Sequence, residues 1–159
     1  PKKLTVHGLP CRFLAEIPLH PQHPERGFRK FDISPKDGVA EFWVSRNDVE
    51  LAKRRGKVRL IGLFNIEAEE SGEDGLKAKF ISESYLDAKK ERMPLIHWIP
   101  CNGEIPTVVV MPDATEINGL AETSCRNLNP GSVIQFERFG FVRVESIQES
   151  LLTVFYAHK

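Results

Sequence analysis

The sequence lacks the features that mark several large classes of protein. No apolar run in it reaches the roughly 18 residues that a membrane span requires, and the opening Pro-Lys-Lys-Leu has no hydrophobic segment of the secretory type. Its three cysteines, Cys11, Cys101 and Cys125, are odd in number and far apart, which excludes a paired CxxC zinc or redox motif. We therefore expect a cytoplasmic protein whose cysteines are buried free thiols.

Sequence motifs of catalysis are missing as well. There is no glycine-rich phosphate loop, no GxSxG elbow and no HExxH helix. His97 lies four residues before Cys101, but its apolar neighbours favour a half-buried structural imidazole over a Cys-His nucleophile. His20 and His23 are candidate metal ligands, although their HPQH spacing brings no thiolate near. We predict neither a catalytic residue nor a metal site.

Net charge is also absent, because 22 basic side chains balance 22 acidic ones. Along the chain, however, the charges separate: residues 1–60 carry 13 basic and 7 acidic side chains, residues 61–123 carry 5 and 12, and residues 124–159 carry 4 and 3. A basic first third can supply the salt-sensitive part of RNA affinity, provided that the fold keeps it away from the acidic middle.

Short β-type runs are what the sequence does have, separated by proline, glycine, asparagine and aspartate. The chain is 41% apolar and 28% charged, an ordinary globular composition that can bury a core. The pattern predicts an all-β fold. The eleven predicted strands are residues 2–7, 14–19, 28–33, 40–44, 57–68, 76–82, 95–99, 107–111, 132–138, 141–146 and 151–157.

Two short helices are predicted as connectors between these strands. The first covers residues 47–53, with Ser45 as its N-cap, and the second covers residues 85–92, entered through Ser84 and stopped before Pro94. Residues 69–75 (EESGEDG) are predicted as a polar turn, and Phe139-Gly140 as a tight hairpin corner.

Four stretches are more specific than a generic β pattern. They are residues 18–29 (PLHPQHPERGFR), 56–67 (GKVRLIGLFNIE), 96–100 (IHWIP) and 133–141 (VIQFERFGF). In this order they resemble the HPxxPExGxR, VRL-to-NVE, IHWVP and QFERxGY motifs in the anticodon-binding half of glutamyl- and glutaminyl-tRNA synthetases. Ile61 stands where the glutaminyl enzymes have a second arginine, which favours the archaeal type of glutamyl enzyme.

The resemblance implies a fold and a partner. The fold is two small antiparallel β-barrels, interwoven over residues 1–159 and joined by one or two short helices, which grip the anticodon loop. The implied partner is glutamate tRNA, with glutamine tRNA left open. The parent enzyme would ligate glutamate to tRNA with ATP and magnesium in a catalytic domain upstream of residue 1, so this region would catalyse nothing alone.

Gln135 and Arg138 match the QFER motif, which in the glutaminyl enzymes contacts the middle anticodon base, a uridine. A glutamine amide can accept a hydrogen bond from uracil N3–H, and a guanidinium can donate to a carbonyl oxygen and a phosphate together. Because residues three apart face opposite sides of a regular strand, a bulge or turn must bring both to one base. The alternative is an ordinary surface pair.

Four basic residues border the second motif: Arg54, Arg55, Lys57 and Arg59. By resemblance Arg59 lies next to the anticodon-facing strand, and the group is predicted to contact tRNA phosphates. A solvated loop beside a strand is the alternative. The glutaminyl enzymes carry a longer basic insert here, so their readers of the third anticodon base are not carried over.

The first and last motifs contain further candidate contacts. Arg26 and Arg29 are candidates for the tRNA backbone, although the surrounding prolines and Gly27 suit a structural loop better. One of Phe136, Phe139 and Phe141 is a candidate for stacking on a base, with core packing as the favoured alternative.

Two other functions remain open on the sequence alone. One is a ribosome-associated barrel that binds structured RNA, since fold analogy does not separate it from a synthetase domain. The other is a protein-docking module, in which the acidic stretches 67–74 and 83–91 meet a basic partner.

Overall fold

The structure, a computed structural model, describes residues 1–19, 23–72 and 75–159. The chain divides into two compact units, Pro1–Pro100 (unit 1) and Cys101–Lys159 (unit 2). Fourteen strands and two α-helices are formed by the described residues, which confirms the prediction of an all-β fold with two short helices. That the two regions interweave stays a prediction.

Unit 1 contains a seven-stranded curled sheet and a separate two-stranded one. Its elements are β1 (Lys2–His7), β2 (Phe13–Pro18), β3 (Phe28–Ile33), β4 (Ala40–Val44), α1 (Arg46–Arg55), β5 (Lys57–Leu60), β6 (Asn65–Ser71), β7 (Gly75–Ser82), α2 (Tyr85–Lys90), β8 (Leu95–Ile96) and β9 (Ile99–Pro100). The strand order is β8-β5-β6-β7-β1-β4-β9, with β2 paired to β3.

An aromatic cluster forms the centre of the unit 1 core. Phe42 and Phe64 are fully buried, and their ring centroids lie 6.1 Å apart in an edge-on arrangement. Trp98 extends the cluster at 5.3 Å from Phe42 and 5.0 Å from Phe31. Such edge-to-face pairs add to the burial of large apolar area, and they join strands that are distant in sequence.

Unit 2 is a single five-stranded sheet in the order β11-β10-β14-β13-β12. Its strands are β10 (Ile105–Val110), β11 (Glu116–Ala121), β12 (Val133–Phe136), β13 (Gly140–Gln148) and β14 (Leu151–His158). The alternation of apolar and polar residues along β13 and β14 turns Val142, Val144, Leu152 and Val154 into the core.

Both predicted helices are confirmed, together with their caps. Ser45 Oγ accepts a hydrogen bond from the Asp48 amide at 3.0 Å, and Ser84 Oγ accepts one from the Asp87 amide at 3.2 Å. Each hydroxyl satisfies one of the amides that a helix leaves unpaired at its start. The boundaries differ by a few residues, since α1 runs to Arg55 and α2 ends at Lys90.

The strand predictions needed three corrections. Segment 57–68 is two antiparallel strands, because the apolar letters of Ile61 to Phe64 conceal a turn in which Gly62 has φ +68°. Segment 95–99 splits into β8 and β9. β11 was missed, because its central Asn118-Gly119 has the composition of a hairpin turn but pairs in register with Val108 and Thr107 of β10.

Two further expectations were wrong in part. The pairing is mixed rather than antiparallel throughout, since β1 with β7, β5 with β8 and β10 with β14 are parallel. All three cysteines are free thiols, but only Cys125 is buried. Cys11 lies in the exposed connection from β1 to β2, and Cys101 is half-buried.

Candidate nucleic-acid interface

The hairpin formed by β12 and β13 carries the QFER stretch. Gln135 lies on β12 opposite Phe141 of β13, and its side chain is exposed. Arg138 lies in the turn that follows, closed by a hydrogen bond from the Phe139 amide to the Phe136 carbonyl at 3.0 Å. Arg138 thus lies in a turn, as its spacing from Gln135 required, but the turn covers residues 137–139 instead of the predicted Phe139-Gly140 corner, because Gly140 already pairs with Phe136. Gln135 and Arg138 are both exposed on this hairpin. Their role in reading a base stays a prediction.

The backbone of this turn is unusual at Arg138. Its φ is +63°, in the left-handed region that glycine or asparagine usually occupies. A side chain with a Cβ raises the energy of that conformation, and such residues cluster at functional sites. Gly140 follows with φ +151°, where a Cβ would lie 2.9 Å from the His158 carbonyl oxygen. Close pairing of β13 with β14 therefore requires glycine there.

Strand register places residues of β12, β13 and β14 on the solvent side of the unit 2 sheet, and six of these residues are here called the outer sheet face. They are Val133 and Gln135 of β12, Phe141 and Arg143 of β13, and Phe155 and His158 of β14. The side chains of Ile134, Val142, Val144, Val154 and Tyr156, which lie between or beside these residues, belong to the core or pack against it. Val133 is 58% exposed and Phe155 36%.

The predicted stacking aromatics have different environments. Phe136 packs against the unit 2 core, as the favoured alternative expected. Phe139 is 36% exposed, and its ring centroid lies 5.8 Å from that of Tyr156. Phe141 is half-buried, and its ring stacks on the imidazole of His158 with centroids 4.6 Å apart. Phe139 and Phe141 therefore keep part of their ring area accessible.

Arg59 is buried in unit 1, only 7% exposed. Its guanidinium donates to Asn65 Oδ1 at 2.8 Å, to the Leu63 carbonyl at 3.1 Å and to the Glu83 carbonyl at 3.1 Å. Burial lowers the pKa of Arg59, while Glu83 and Tyr85 act in the opposite direction. Burial and three hydrogen bonds within the chain disfavour the expected phosphate contact of Arg59, which stays a prediction.

The other three basic residues of this run differ in their exposure and in their hydrogen-bond partners. Lys57 Nζ donates to Glu91 Oε2 at 2.8 Å, and this hydrogen bond raises the pKa of Lys57. Arg55 Nη2 donates to the Arg92 carbonyl at 3.3 Å but remains exposed. Arg54 is exposed in the last turn of α1. Contact with a polyanion is thus open to Arg54 and Arg55 and hindered for Lys57.

Two of the recognised stretches meet in the core of unit 1. The indole nitrogen of Trp98, in IHWIP, donates to the Ile61 carbonyl in the β5–β6 turn at 2.8 Å. Asn65, in the NIE part of the second stretch, donates to Ser82 Oγ at 2.9 Å and to the Ser84 carbonyl at 2.8 Å. These motif residues hold the fold together, a role that letter patterns alone did not indicate.

The first stretch lies only partly within the described residues, because His20, Pro21 and Gln22 fall outside them. Arg26 is exposed in a short 3-10 turn, Pro24–Arg26, and Arg29 is half-buried on β3. His23 Nδ1 lies 2.8 Å from Glu25 Oε1. Contact of Arg26 or Arg29 with tRNA stays a prediction.

Histidine, cysteine and carboxylate side chains decide whether a metal or nucleophile site can form. Within residues 1–19, 23–72 and 75–159, no group of three or more His, Cys, Asp and Glu side chains has the geometry to hold a metal ion. His97 and Cys101 are each half-buried, as expected for His97. In the same part of the chain, no helix has the length and apolar character needed to span a membrane.

The acidic middle of the chain is not kept away from the basic first third. On the sheet of unit 1, Lys57 is the register partner of Glu67, and Glu67 that of Lys79. His7 Nε2 lies 2.6 Å from Glu69 Oε2. Strand pairing therefore partly neutralises the charge difference between the segments. The basic first third is not kept away from the acidic middle, which the prediction of RNA affinity from segment charge required.

Comparison with known proteins identifies the chain at family level. A family model described as "tRNA synthetases class I (E and Q), anti-codon binding domain" matches residues 1–85, and a second model of the same description matches residues 95–145. The chain belongs to this family. The resemblance seen in the four sequence stretches is thereby confirmed, and it extends through both units of the anticodon-binding domain.

Curated relatives of this anticodon-binding domain are named glutamate–tRNA ligases. Identity is 43% to the Pyrococcus abyssi protein over all of the chain, 42% to that of Pyrococcus furiosus over 92% of the chain, and 35% to that of Methanopyrus kandleri over 99%. The chain spans 27%, 25% and 28% of the length of these relatives, respectively, or about a quarter.

Proposed function

We propose that this anticodon-binding domain is the tRNA-recognition region of a glutamate–tRNA ligase, and that the β12–β13 hairpin reads the middle base of the glutamate anticodon. The observation that carries the proposal is the hairpin itself. Gln135 presents an exposed amide beside a turn in which Arg138 adopts a left-handed backbone. The names of the relatives support glutamate rather than glutamine as the amino acid of the parent enzyme.

In this proposal the domain positions RNA rather than catalyses a reaction. The Gln135 amide accepts from uracil N3–H, which cytosine lacks, and Arg138 donates to a base carbonyl oxygen or a phosphate. Basic side chains of unit 1, with Arg54 and Arg55 first among them, contact the backbone without sequence preference. Ligation of glutamate with ATP and magnesium would occur elsewhere in a cytoplasmic parent enzyme.

The test is a binding titration of the chain against anticodon stem-loops of glutamate tRNA, with the middle uridine intact or replaced by cytidine. We expect the uridine form to bind more tightly. Gln135→Ala should weaken that form by about 1–3 kcal/mol, the usual cost of leaving a buried polar partner unsatisfied, and should abolish the preference. The matched control is Gln148→Ala, an exposed glutamine at the end of β13.

Each other outcome has a distinct meaning. Equal affinity for uridine and cytidine forms would contradict base reading by the hairpin and leave a general RNA-binding domain. A stem-loop of glutamine tRNA shares the middle uridine, so tighter binding of that RNA than of the glutamate one would move the assignment to the glutaminyl enzyme. Capture of a protein by the chain after ribonuclease treatment, without RNA binding, would favour the docking alternative.

A further inference from the structure

We propose that the outer sheet face of unit 2 is a stacking platform for unpaired RNA bases, with two base positions. One is the pair Arg143 and Phe155, and the other is the pair Phe141 and His158. The proposal deepens the proposed function and rests on it, because Gln135 belongs to the same face and lies directly opposite Phe141 in the strand register.

The first base position is a cation held over an aromatic ring. The guanidinium carbon of Arg143 lies 5.5 Å from the centre of the Phe155 ring, and Arg143 Nη2 donates to Glu145 Oε2 at 3.1 Å. The Glu145 carboxylate thus fixes the orientation of the guanidinium. About half of the Arg143 side chain, 51%, remains exposed. A planar guanidinium on an aromatic ring presents a flat surface on which a base can stack as a third layer.

The second base position is formed by two nearly parallel rings. Phe141 and His158 are stacked with an interplanar angle of 27°. Since side chains two residues apart on a strand point to the same side at a separation of about 7 Å, Phe141 and Arg143 offer neighbouring positions along β13. A base stacked at Phe141 would have its edge near the Gln135 amide, which joins stacking to base reading.

The platform suits RNA better than a protein surface. Its apolar members, Val133, Phe141 and Phe155, alternate with Arg143, Gln135 and His158 in the strand register, so that no broad apolar patch is formed for a protein to cover. Sheets that display aromatic side chains on an open face bind single-stranded RNA by stacking, with little demand on base identity. The occupant we propose is therefore a run of unpaired nucleotides such as those of an anticodon loop.

The proposal is tested with protein variants that lack one of the stacking groups and with RNA that carries a fluorescent base. The variants are Phe155→Leu and Phe141→Leu, which keep an apolar side chain, and Arg143→Lys, which keeps the charge but loses the planar group. The probes are the glutamate anticodon stem-loop with 2-aminopurine placed in turn at each loop nucleotide except the middle one, and an unstructured heptanucleotide of the same loop sequence. Affinity and quenching of 2-aminopurine are measured.

We expect each phenylalanine substitution to lower affinity by about ten-fold, within the range that one base–aromatic stack contributes, and to abolish quenching at one loop position. Arg143→Lys should reduce quenching at the position that Phe155→Leu affects. Phe28→Leu is the matched control, because Phe28 is 45% exposed but lies in unit 1. Circular dichroism of each variant confirms that the fold is kept.

The possible outcomes separate this proposal from the proposed function. Uridine preference with unchanged affinity and quenching in all three variants would overturn the platform and leave the hairpin reading intact. Quenching of the heptanucleotide that depends on Phe155 or Phe141, without any uridine preference, would support the platform and contradict base reading by the hairpin. Absence of binding to both RNAs by the unsubstituted chain would overturn the platform.

Discussion

The guanidinium of Arg59 joins four segments of unit 1 at the scale of a single residue. Arg59 belongs to β5. Its guanidinium donates hydrogen bonds to carbonyl or amide oxygens of the β5–β6 turn, of β6 and of the segment before α2. Asn65 continues the network to Ser82 and to Ser84, the N-cap of α2. A buried network whose members are all paired rigidifies the segments that it joins.

Removal of the Arg59 guanidinium should therefore lower the stability of unit 1. We expect Arg59→Ala to lower the free energy of unfolding by about 3 kcal/mol, because buried acceptors on Leu63 and Asn65 would be left without donors. Urea unfolding followed by tryptophan fluorescence measures this selectively, since both tryptophans, Trp43 and Trp98, lie in unit 1.

The control for this prediction is Arg54→Ala, an exposed arginine five residues earlier. Surface substitutions of this kind usually change stability by no more than about 0.5 kcal/mol. A loss below about 1 kcal/mol in Arg59→Ala would show that water replaces the guanidinium at little cost, and that the network is not a main support of unit 1.

At the scale of elements, unit 1 depends on a close approach between β1 and β7. These strands are parallel partners, with Lys3 opposite Gly75. A Cβ added at Gly75 would lie 1.9 Å from the backbone oxygen of Lys3, a distance at which the two atoms overlap. The pairing that joins the first strand of the chain to the later hairpin therefore requires glycine at the start of β7.

Gly75→Ala should separate β1 from β7 and destabilise unit 1 by about 3 kcal/mol or more, as severe overpacking against backbone does. Gly72→Ala is a close control, because the Gly72 amide donates to the Gly75 carbonyl at 3.0 Å and nothing lies within 4 Å of a Cβ added at Gly72. Tryptophan fluorescence during urea unfolding compares the two. Equal midpoints in both variants would contradict a close approach at Gly75.

At the scale of the whole molecule, charge is distributed by strand pairing rather than by sequence segment. The basic first third and most of the acidic middle belong to unit 1, where the Lys57 ammonium lies 2.8 Å from the Glu91 carboxylate. A cation releases a counterion from RNA when it neutralises a phosphate. A cation that is already paired with a carboxylate must first lose that partner, so it contributes less to RNA affinity. Net RNA affinity should therefore depend on a few exposed arginines.

The salt dependence of binding tests this distribution. We expect Arg55→Ala to weaken binding of every tRNA by a similar factor and to lower the slope of log affinity against log salt by about 1, the effect of losing one phosphate contact. Lys57→Ala should leave the slope almost unchanged, because Glu91 already neutralises the Lys57 ammonium. A slope unaffected by Arg55→Ala would show that Arg55, in the last turn of α1, makes no phosphate contact.

The sequence by itself determined the all-β class, both capped helices and the family. The alternation of apolar and polar residues, the serine caps and the turn residues are local signals. The four motifs are likewise recognised from consecutive residues alone. Local signals failed where tertiary pairing overrode them: Asn118-Gly119 has turn composition but lies mid-strand, because β10 supplies its hydrogen-bond partners.

Only the tertiary structure decided which motif residues face solvent. Arg59 and Arg55 are both arginines in one basic run, yet one is enclosed by carbonyl groups and the other is exposed. The outer sheet face likewise combines Gln135, Arg143 and Phe155 from three strands, and their proximity depends on the register between strands. Register is set by the packing of the opposite face into the core, so no spacing along the chain could reveal it.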